Sequence, residues 1–550
     1  MADREQHNNS AQETVGASQK QVRETGTRWR AWQPLRLPMF RNLLAADLVS
    51  DIGTFMQGVG AAWLIVSQGA GPLLVALTQT ASALPFFLLA LPAGALGDIF
   101  DRRKLIITTE VWMLCVAAAL AALTLLHWIT PWMLLFLTLA LSIGDALEAP
   151  AWRAVLPEVV PQEDLLPAMA LNGIEFNLAR AIGPALGGFL IAVAGVGTAF
   201  TLNALSFLGV LWVISRWRRP PRLRSVPRET LSGATRAAIR YTRNAPEMLT
   251  VLGRIAVIMF FASPFWALLP TVAHELSRSA TFYGVLLAVF GGGAILGAIV
   301  LQRGRSFLSA DAMLGLGTTL FAGTLWATAT FKWIVPLCVA IAVGGAAWTA
   351  VMSLTSTVMQ NVAPDWVRAR AQAVFMLVYM GAWAGGSAFW GYVAGHRGTH
   401  FSFVAAAIGT AASPLLVFIS RLPDEAANLA AWDHWRKPMP MSEAALDKGP
   451  VLVTVEYEIE PKDADEFLAV LEKFSRVRRR DGASRWGVYY DTEHPTRYLE
   501  TFIVDSWGEH LRQHTRLTQA DRELEQRLHW FERMPNKVRH FIYARSKDRK

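Results

Sequence analysis

The chain has 550 residues, 53% of them hydrophobic and only 17% charged, with a formal net charge of +9. A soluble domain carries about 25% charged residues, so this composition, with a mean hydropathy of +0.30, argues against a soluble enzyme and for a membrane protein. Both cysteines, Cys115 and Cys338, sit inside apolar runs, which argues against a disulfide framework.

In chain order, residues 1–39 form a basic tail with no apolar signal-peptide core, expected to be disordered. Twelve apolar stretches then follow, near 43–67, 73–97, 105–127, 131–152, 167–193, 197–215, 248–272, 280–302, 311–330, 333–356, 371–396 and 399–420. Runs of about 20 apolar residues cross a ~30 Å hydrocarbon core as helix, and the absence of two-residue alternation argues against a β-barrel. A basic stretch beginning RWRRPPRLRSVPR separates the sixth run from the seventh, and hydrophobicity ends after Arg421. The expected plan is a six-helix half (40–215), a basic linker (216–247), a second half (248–421), another linker (422–445) and a C-terminal domain (446–550).

Lys and Arg fall on alternate turns. One side holds Arg36, Arg41, Arg102, Arg103, Lys104, Arg153, the linker, Arg303, Arg305, Arg368 and Arg370; the other holds only Arg278, Lys332 and Arg397. Positive charge stays in the cytoplasm, so both termini are expected there, with the protein in the inner or plasma membrane. The turns AVLPEVVPQEDLLPAMAL and STVMQNVAPDWVRARAQAVF recur six stretches apart, as do GALGDIFDRRK and GAIVLQRGRS. Recurrence at that spacing indicates two related halves, a common plan for secondary transporters.

After Pro450, VLVTVEYEI alternates as a strand, ADEFLAVLEKFSRVRRR has helical spacing, SRWGVYYD and RYLETFIVD are strands, and WGEHLRQHTR and ADRELEQRLHWFERM precede a last strand, KVRHFIYA. This β-α-β-β-α-β order predicts a small α+β ferredoxin-like domain. It resembles the antibiotic-biosynthesis-monooxygenase type of domain, whose members often pair through their sheets, so a dimer through this domain is expected. His510 and His514 share a helix face beside Trp507, but a third metal ligand is missing, and no metal centre or cofactor is expected.

Gly94, Leu96, Asp98, Asp101, Arg102, Arg103 and Lys104 resemble the loop signature of the major facilitator superfamily, with Asp101 where Gly is commoner. That variant is similar to the branch containing the enterobactin exporter. Gly183, Pro184, Gly187 and Gly188 in GPALGG match the end of a motif associated with exporters, with Ala170 and Ala179 at its upstream glycine positions. The resemblance implies an all-α twelve-helix fold and proton-coupled efflux of a small organic molecule, siderophore-like or drug-like. It also implies an antiporter rather than an enzyme, with Asp98 in a latch at the inner mouth. A membrane-anchored enzyme or a sensor is the rival reading.

Ionisable groups inside spans cost about 2.5–3.5 kcal/mol each to insert and mark function. They are Asp47, Asp51, Glu110, Asp145, Glu148, Glu175, Arg180 and Arg254, with no acid in the interiors of spans eight to twelve. Proton chemistry is therefore expected in the first half. Asp51, Asp145 and Glu175 are the leading proton or substrate candidates, Glu148 lies beside them, and Arg180 is the expected counter-ion. Asp47 reads as a solvated end residue and Glu110 as part of the latch. Nothing in the chain suggests a nucleic-acid partner.

Overall fold

Proline and short polar side chains set where the helices begin. Pro38, Pro72, Pro131 and Pro246 open helices, where a missing N–H costs nothing. Thr130, Asp101 and Ser309 cap others by accepting a backbone N–H of the first turn. The computed structural model describes residues 32–99, 101–217, 239–304, 308–423 and 449–543. Within these lie twelve helices long and apolar enough to span a membrane. They are α1 (Pro38–Ser67), α2 (Pro72–Ile99), α3 (Arg102–Leu125), α4 (Pro131–Val159), α5 (Leu165–Ala194), α6 (Val196–Arg216), α7 (Pro246–Ser277), α8 (Ala280–Gly304), α9 (Ala310–Thr330), α10 (Ile334–Asn361), α11 (Asp365–Arg397) and α12 (Thr399–Ala412). A 3-10 turn, Ser413–Phe418, prolongs the last span. Residues 1–31, 218–238 and 424–448 lie outside the described residues, so the expected tail and both linkers are covered only at their edges.

The two halves repeat one packing scheme. In the first half α1 packs on α5 and α6, α2 on α4, and α3 on α4 and α6; in the second α7 packs on α11 and α12, α8 on α10, and α9 on α10 and α12. The halves meet through α2 with α11 and through α5 with α8, as two-fold pseudosymmetry requires. Two glycines carry the same repeat. Gly195 between α5 and α6 has φ +84°, and Gly398 between α11 and α12 has φ +87°. Only glycine adopts this backbone cheaply, so each makes a one-residue turn between long helices.

Helix α7 breaks at Ser263, ahead of Pro264, which has no N–H to donate. The Phe260 carbonyl released by the break accepts from Trp390 Nε1 of α11 at 3.0 Å and from Ser263 Oγ at 2.9 Å.

The C-terminal domain contains β1 (Val451–Glu458), α13 (Ala464–Asp481), β2 (Arg485–Tyr490), β3 (Arg497–Val504), α14 (Trp507–Arg516), α15 (Gln519–Trp530) and β4 (Lys537–Ile542). Its strands lie in the order β2-β3-β1-β4, every neighbour antiparallel, which is the ferredoxin-like arrangement expected from the sequence. Val451, Val453, Val455 and Tyr457 alternate inward against Phe467, Phe474 and Phe502. Glu500 is fully buried in this core. It accepts from Tyr457 Oη and Trp486 Nε1, each at 2.9 Å, and from Arg478 Nε at 3.2 Å. Breaking a buried pair from one side costs about 3–5 kcal/mol. Glu500→Gln is therefore expected to destabilise the domain by that amount, read as faster amide hydrogen exchange along β1 and β3.

Candidate functional site

Six carboxylates from four helices share the interior of the first half. Asp47 and Asp51 lie one turn apart on α1, and Asp145 and Glu148 three residues apart on α4, each pair on one helix face. Asp51 is within electrostatic reach of Asp145 and Glu175, Asp47 of Glu148 and Glu175, and Glu110 of Glu148, Asp47 and Asp145. Thr109 Oγ1 donates to Glu148 Oε2 at 2.6 Å. Glu110 and Glu175 are buried, and Glu110 Oε2 and both Glu175 oxygens have no hydrogen-bond partner among the described residues. By surface area Asp145 is exposed and Asp51 half-buried. Among the described residues, the charged neighbours of these acids are other acids.

Two residues that the sequence set apart belong to this group: Asp47 joins it, and Glu110 sits beside Glu148. Arg180 is exposed; its Nη2 donates to Asn177 Oδ1 at 2.7 Å, its guanidinium lies 5.6 Å from the Phe176 ring, and its titratable neighbour is the neutral phenol of Tyr379 on α11.

At the arginine-rich end, Asp101 caps α3 through the Lys104 N–H. Arg102 Nη1 pairs with Glu158 Oε1 at 2.6 Å, and Arg103 donates to the carbonyls of Ile214 and Ser215. These contacts tie α3 to α4 and α6 within the first half. In the second half Arg254 of α7 pairs with Asp311 of α9 at 2.5 Å and reaches the Ser420 carbonyl. The side chains of Gly94, Leu96 and Asp98 lie outside the described residues.

At the arginine-poor end the halves are in tight contact. A β-carbon on Gly183 would lie 2.6 Å from Phe55 Cβ, and one on Gly187 would lie 2.9 Å from Met56 Cα. Those two glycines therefore seat α5 on α1. Gly188 faces the other half: its β-carbon would lie 2.8 Å from both Ala280 O and Gly284 Cα of α8. Pro184 completes this surface by carrying its carbonyl to within 2.8 Å of a β-carbon placed on Gly284. On the pseudosymmetric side, a β-carbon on Gly391 of α11 would lie 2.4 Å from Ala76 Cβ of α2, and Thr80 Oγ1 donates to the Ala384 carbonyl at 3.0 Å. Trp63 of α1 stacks on Tyr283 of α8 at 6.5 Å and meets His274 of α7 at 5.3 Å. The structure is thus closed between halves at this end.

The second half presents aromatic rings where the first presents acids. Trp266 of α7 meets Trp348 of α10 at 4.7 Å, Trp383 of α11 at 5.3 Å and Phe290 of α8 at 5.8 Å. Tyr379 meets Trp383 at 5.6 Å. Trp266, Phe290 and Trp383 are half-buried, and Trp383 Nε1 is a buried donor with no partner among the described residues.

In the C-terminal domain His510 is buried, with Nδ1 3.1 Å from Gln513 Oε1 and Nε2 3.2 Å from His514 Nε2. Among the described residues no three His, Cys, Asp or Glu side chains gather as a metal site. Burial, then His514, pushes the His510 imidazole down to about 3, so the folded domain excludes a proton that the unfolded chain binds near pH 6.5. Stability contributed by this group is therefore present above pH 6.5 and declines as pH falls from there towards 3. His510→Gln is expected to flatten that dependence, measured by unfolding between pH 7 and 4.

The family model described as transmembrane secretion effector matches residues 29–548. The chain is 27% identical over 299 residues to an uncharacterized MFS-type transporter of Bacillus subtilis, covering 51% of this chain and 70% of that one. It is 21% identical to the staphyloferrin A transporter of Staphylococcus aureus, covering 62% of this chain and 85% of that one. It is 28% identical to the enterobactin exporter of Citrobacter koseri, covering 48% of this chain and 62% of the exporter's length. Among solved structures it resembles a bacterial homologue of the human lysosomal transporter Spinster in an inward-facing, unoccupied conformation, at TM-score 0.55, 15% identity, and 70% and 95% coverage of the two chains. It also resembles the nucleoside transporter NupG, at TM-score 0.57, 12% identity, and 70% and 100% coverage. The repeated six-helix halves, the glycine-seated contacts between them and the family match agree: the chain belongs to the transmembrane secretion effector family of major facilitator transporters.

Proposed function

We propose that the protein exports a small organic molecule, siderophore-like or drug-like, in exchange for protons. The observation that carries this reading is the carboxylate cluster of Asp47, Asp51, Glu110, Asp145, Glu148 and Glu175, which has no basic neighbour among the described residues. A low-dielectric interior holds such a group only if protons or a bound cation offset its charge. Charge carriers on one half and aromatic rings on the other suit a cycle in which cargo and protons take turns in one cavity. The closed arginine-poor end fits a state opening toward the arginine-rich side, and the charge asymmetry supports reading that side as cytoplasmic. The two relatives named for siderophores support the cargo class. Arg102 and Arg103, bound within their own half, support a part for the DRRK loop in holding that half together, with Asp98 left as the latch residue. The C-terminal domain, with its open sheet face, is the proposed dimer contact.

The test uses everted membrane vesicles with an acidic interior. Addition of a siderophore or hydrophobic drug from a panel is expected to release protons when the parent protein is present and not in its absence. A gradient insensitive to the whole panel but discharged by sodium would replace proton coupling with sodium coupling. Compound movement with no ion flux would remove the exchange reading.

A further inference from the structure

The C-terminal domain is not merely tethered to the membrane region. Just ahead of α7, helical residues 239–243 present Arg240 and Tyr241, and Trp366 opens α11. Tyr241 and Trp366 pack edge to face at 5.4 Å and form an aromatic platform on the second half. Two arginines of the C-terminal domain lie on it: Arg480 is 5.3 Å from the Tyr241 ring and Arg516 4.4 Å from the Trp366 ring. Beside them Arg240 Nη2 pairs with Glu509 Oε1 at 2.8 Å.

The domain holds each of these groups in place. Arg516 Nη1 donates to Glu509 Oε1 at 2.6 Å and to the Asp481 carbonyl at 2.8 Å; Arg480 pairs with Asp521 at 2.6 Å and Asp481 at 2.9 Å. Tyr241 is 2% exposed, Arg516 4% and Glu509 6%, so the cluster is sealed from water as an interface is and a solvated surface is not. Cation–π and ion-pair contacts gain strength from such desolvation.

The position of the clasp matters because α7 and α11 pack on each other and both begin at the arginine-rich end. An alternating-access cycle must move that end of the second half against the first. Helix α11 also packs on α2 of the first half, so the domain held on its arginine-rich end is a body that closure at that end must bring against the first half, whereas opening there leaves it free.

We propose that the C-terminal domain regulates transport by clasping the arginine-rich ends of α7 and α11 through Arg480, Glu509 and Arg516, and so biases the equilibrium between the two open states. This rests on the alternating-access reading, though not on the cargo or the coupling ion. The clasp holds across physiological pH. Burial opposes the charge on Glu509, but bonds from Arg516, Arg512 and Arg240 outweigh it and bring the carboxyl down to about 2. A depressed carboxyl contributes stability above its ordinary range that is lost only as pH falls toward 2.

The test uses the full chain in lipid nanodiscs with both native cysteines replaced by serine. Arg240→Gln combined with Trp366→Leu removes the platform side and leaves the domain's own fold untouched. Amide exchange over residues 507–517 and 239–246 is expected to rise at least tenfold, with β1 unchanged as the control for folding. Spin labels at Gly71→Cys and Lys332→Cys, in turns of the two halves at the arginine-poor end, are expected to show at least a threefold change in the ratio of the two inter-label separations. Unchanged exchange would mean that the clasp does not hold in solution. Faster exchange with an unchanged separation ratio would make the domain a passive attachment. Either result overturns the proposal, and neither depends on finding the cargo.

Discussion

Glu175→Gln is expected to lower cargo-driven proton release at least tenfold, and Asp51→Asn to do the same, while both variants insert and fold like the parent. The argument turns on the missing counter-ion. A carboxylate in a structural ion pair destabilises the protein when it becomes an amide, because its partner is left buried and unpaired. Glu175 has no hydrogen-bond partner on either oxygen among the described residues, and its charged neighbour is Asp51. Neutralising it relieves crowding of like charge and removes an insertion cost of about 2.5–3.5 kcal/mol, so thermal stability is expected to hold or rise. Exchange of labelled for unlabelled cargo needs no net proton movement and is expected to persist. Loss of proton release with retained exchange and retained stability identifies a coupling residue. Loss of all three would return Glu175 to a structural part, and parent-like coupling in both variants would remove the cluster from the mechanism. Glu275, on the far end of α7 and hydrogen-bonded to Thr399 at 3.3 Å, is the carboxylate control.

The sequence was most legible where one physical rule dominates. Twelve apolar runs, each about as long as the hydrocarbon core of a bilayer is thick, leave little choice of architecture, and alternation in VLVTVEYEI can only face one side of a sheet. Intramembrane acids were legible as exceptions to an otherwise apolar pattern. Their grouping was not, because it depends on which faces of α1, α3, α4 and α5 meet. Asp47 looked like an end residue by its distance from the terminus of the run, yet it lies one turn from Asp51 and shares its surroundings. Arg180 looked like the natural counter-ion by proximity in the chain, but five residues on a helix place it on another face, beside Asn177 and Phe176. The clasp was wholly illegible. Its partners are 269 residues apart for Arg240 and Glu509, and nothing local in RVRRRD or WGEHLRQHTR distinguishes an arginine that stacks on a distant tryptophan from one in water.

Gly187 and Gly188 are adjacent, and their alanine variants are expected to fail in different ways. A β-carbon on Gly187 meets Met56 of α1, inside the first half, where both helices move together. One on Gly188 meets Ala280 O and Gly284 Cα at 2.8 Å, across the line along which the halves separate. Neither contact is a flexible side chain, so the helices themselves must part, and overpacking of this kind costs about 1–3 kcal/mol. For Gly187→Ala the cost burdens every state of the cycle and lowers stability. For Gly188→Ala it falls only on the state closed at the arginine-poor end. It is expected to move the ratio of states toward opening there by roughly 5- to 150-fold, at about 1.4 kcal/mol per factor of ten. Tyr283, 3% exposed and stacked on Trp63 behind this contact, supplies the reporter. As Tyr283→Cys in a chain without other cysteines, it is expected to react slowly with a membrane-impermeant maleimide from the arginine-poor side. Adding Gly188→Ala should accelerate that labelling, while Gly187→Ala should not. Gly292→Ala, on α8 with open space where its β-carbon would go, should leave the rate unchanged. Equal acceleration by Gly187→Ala and Gly188→Ala would mean that the motif only packs helices, and the closing contact would then have to lie on the α2–α11 side, where Gly391 meets Ala76.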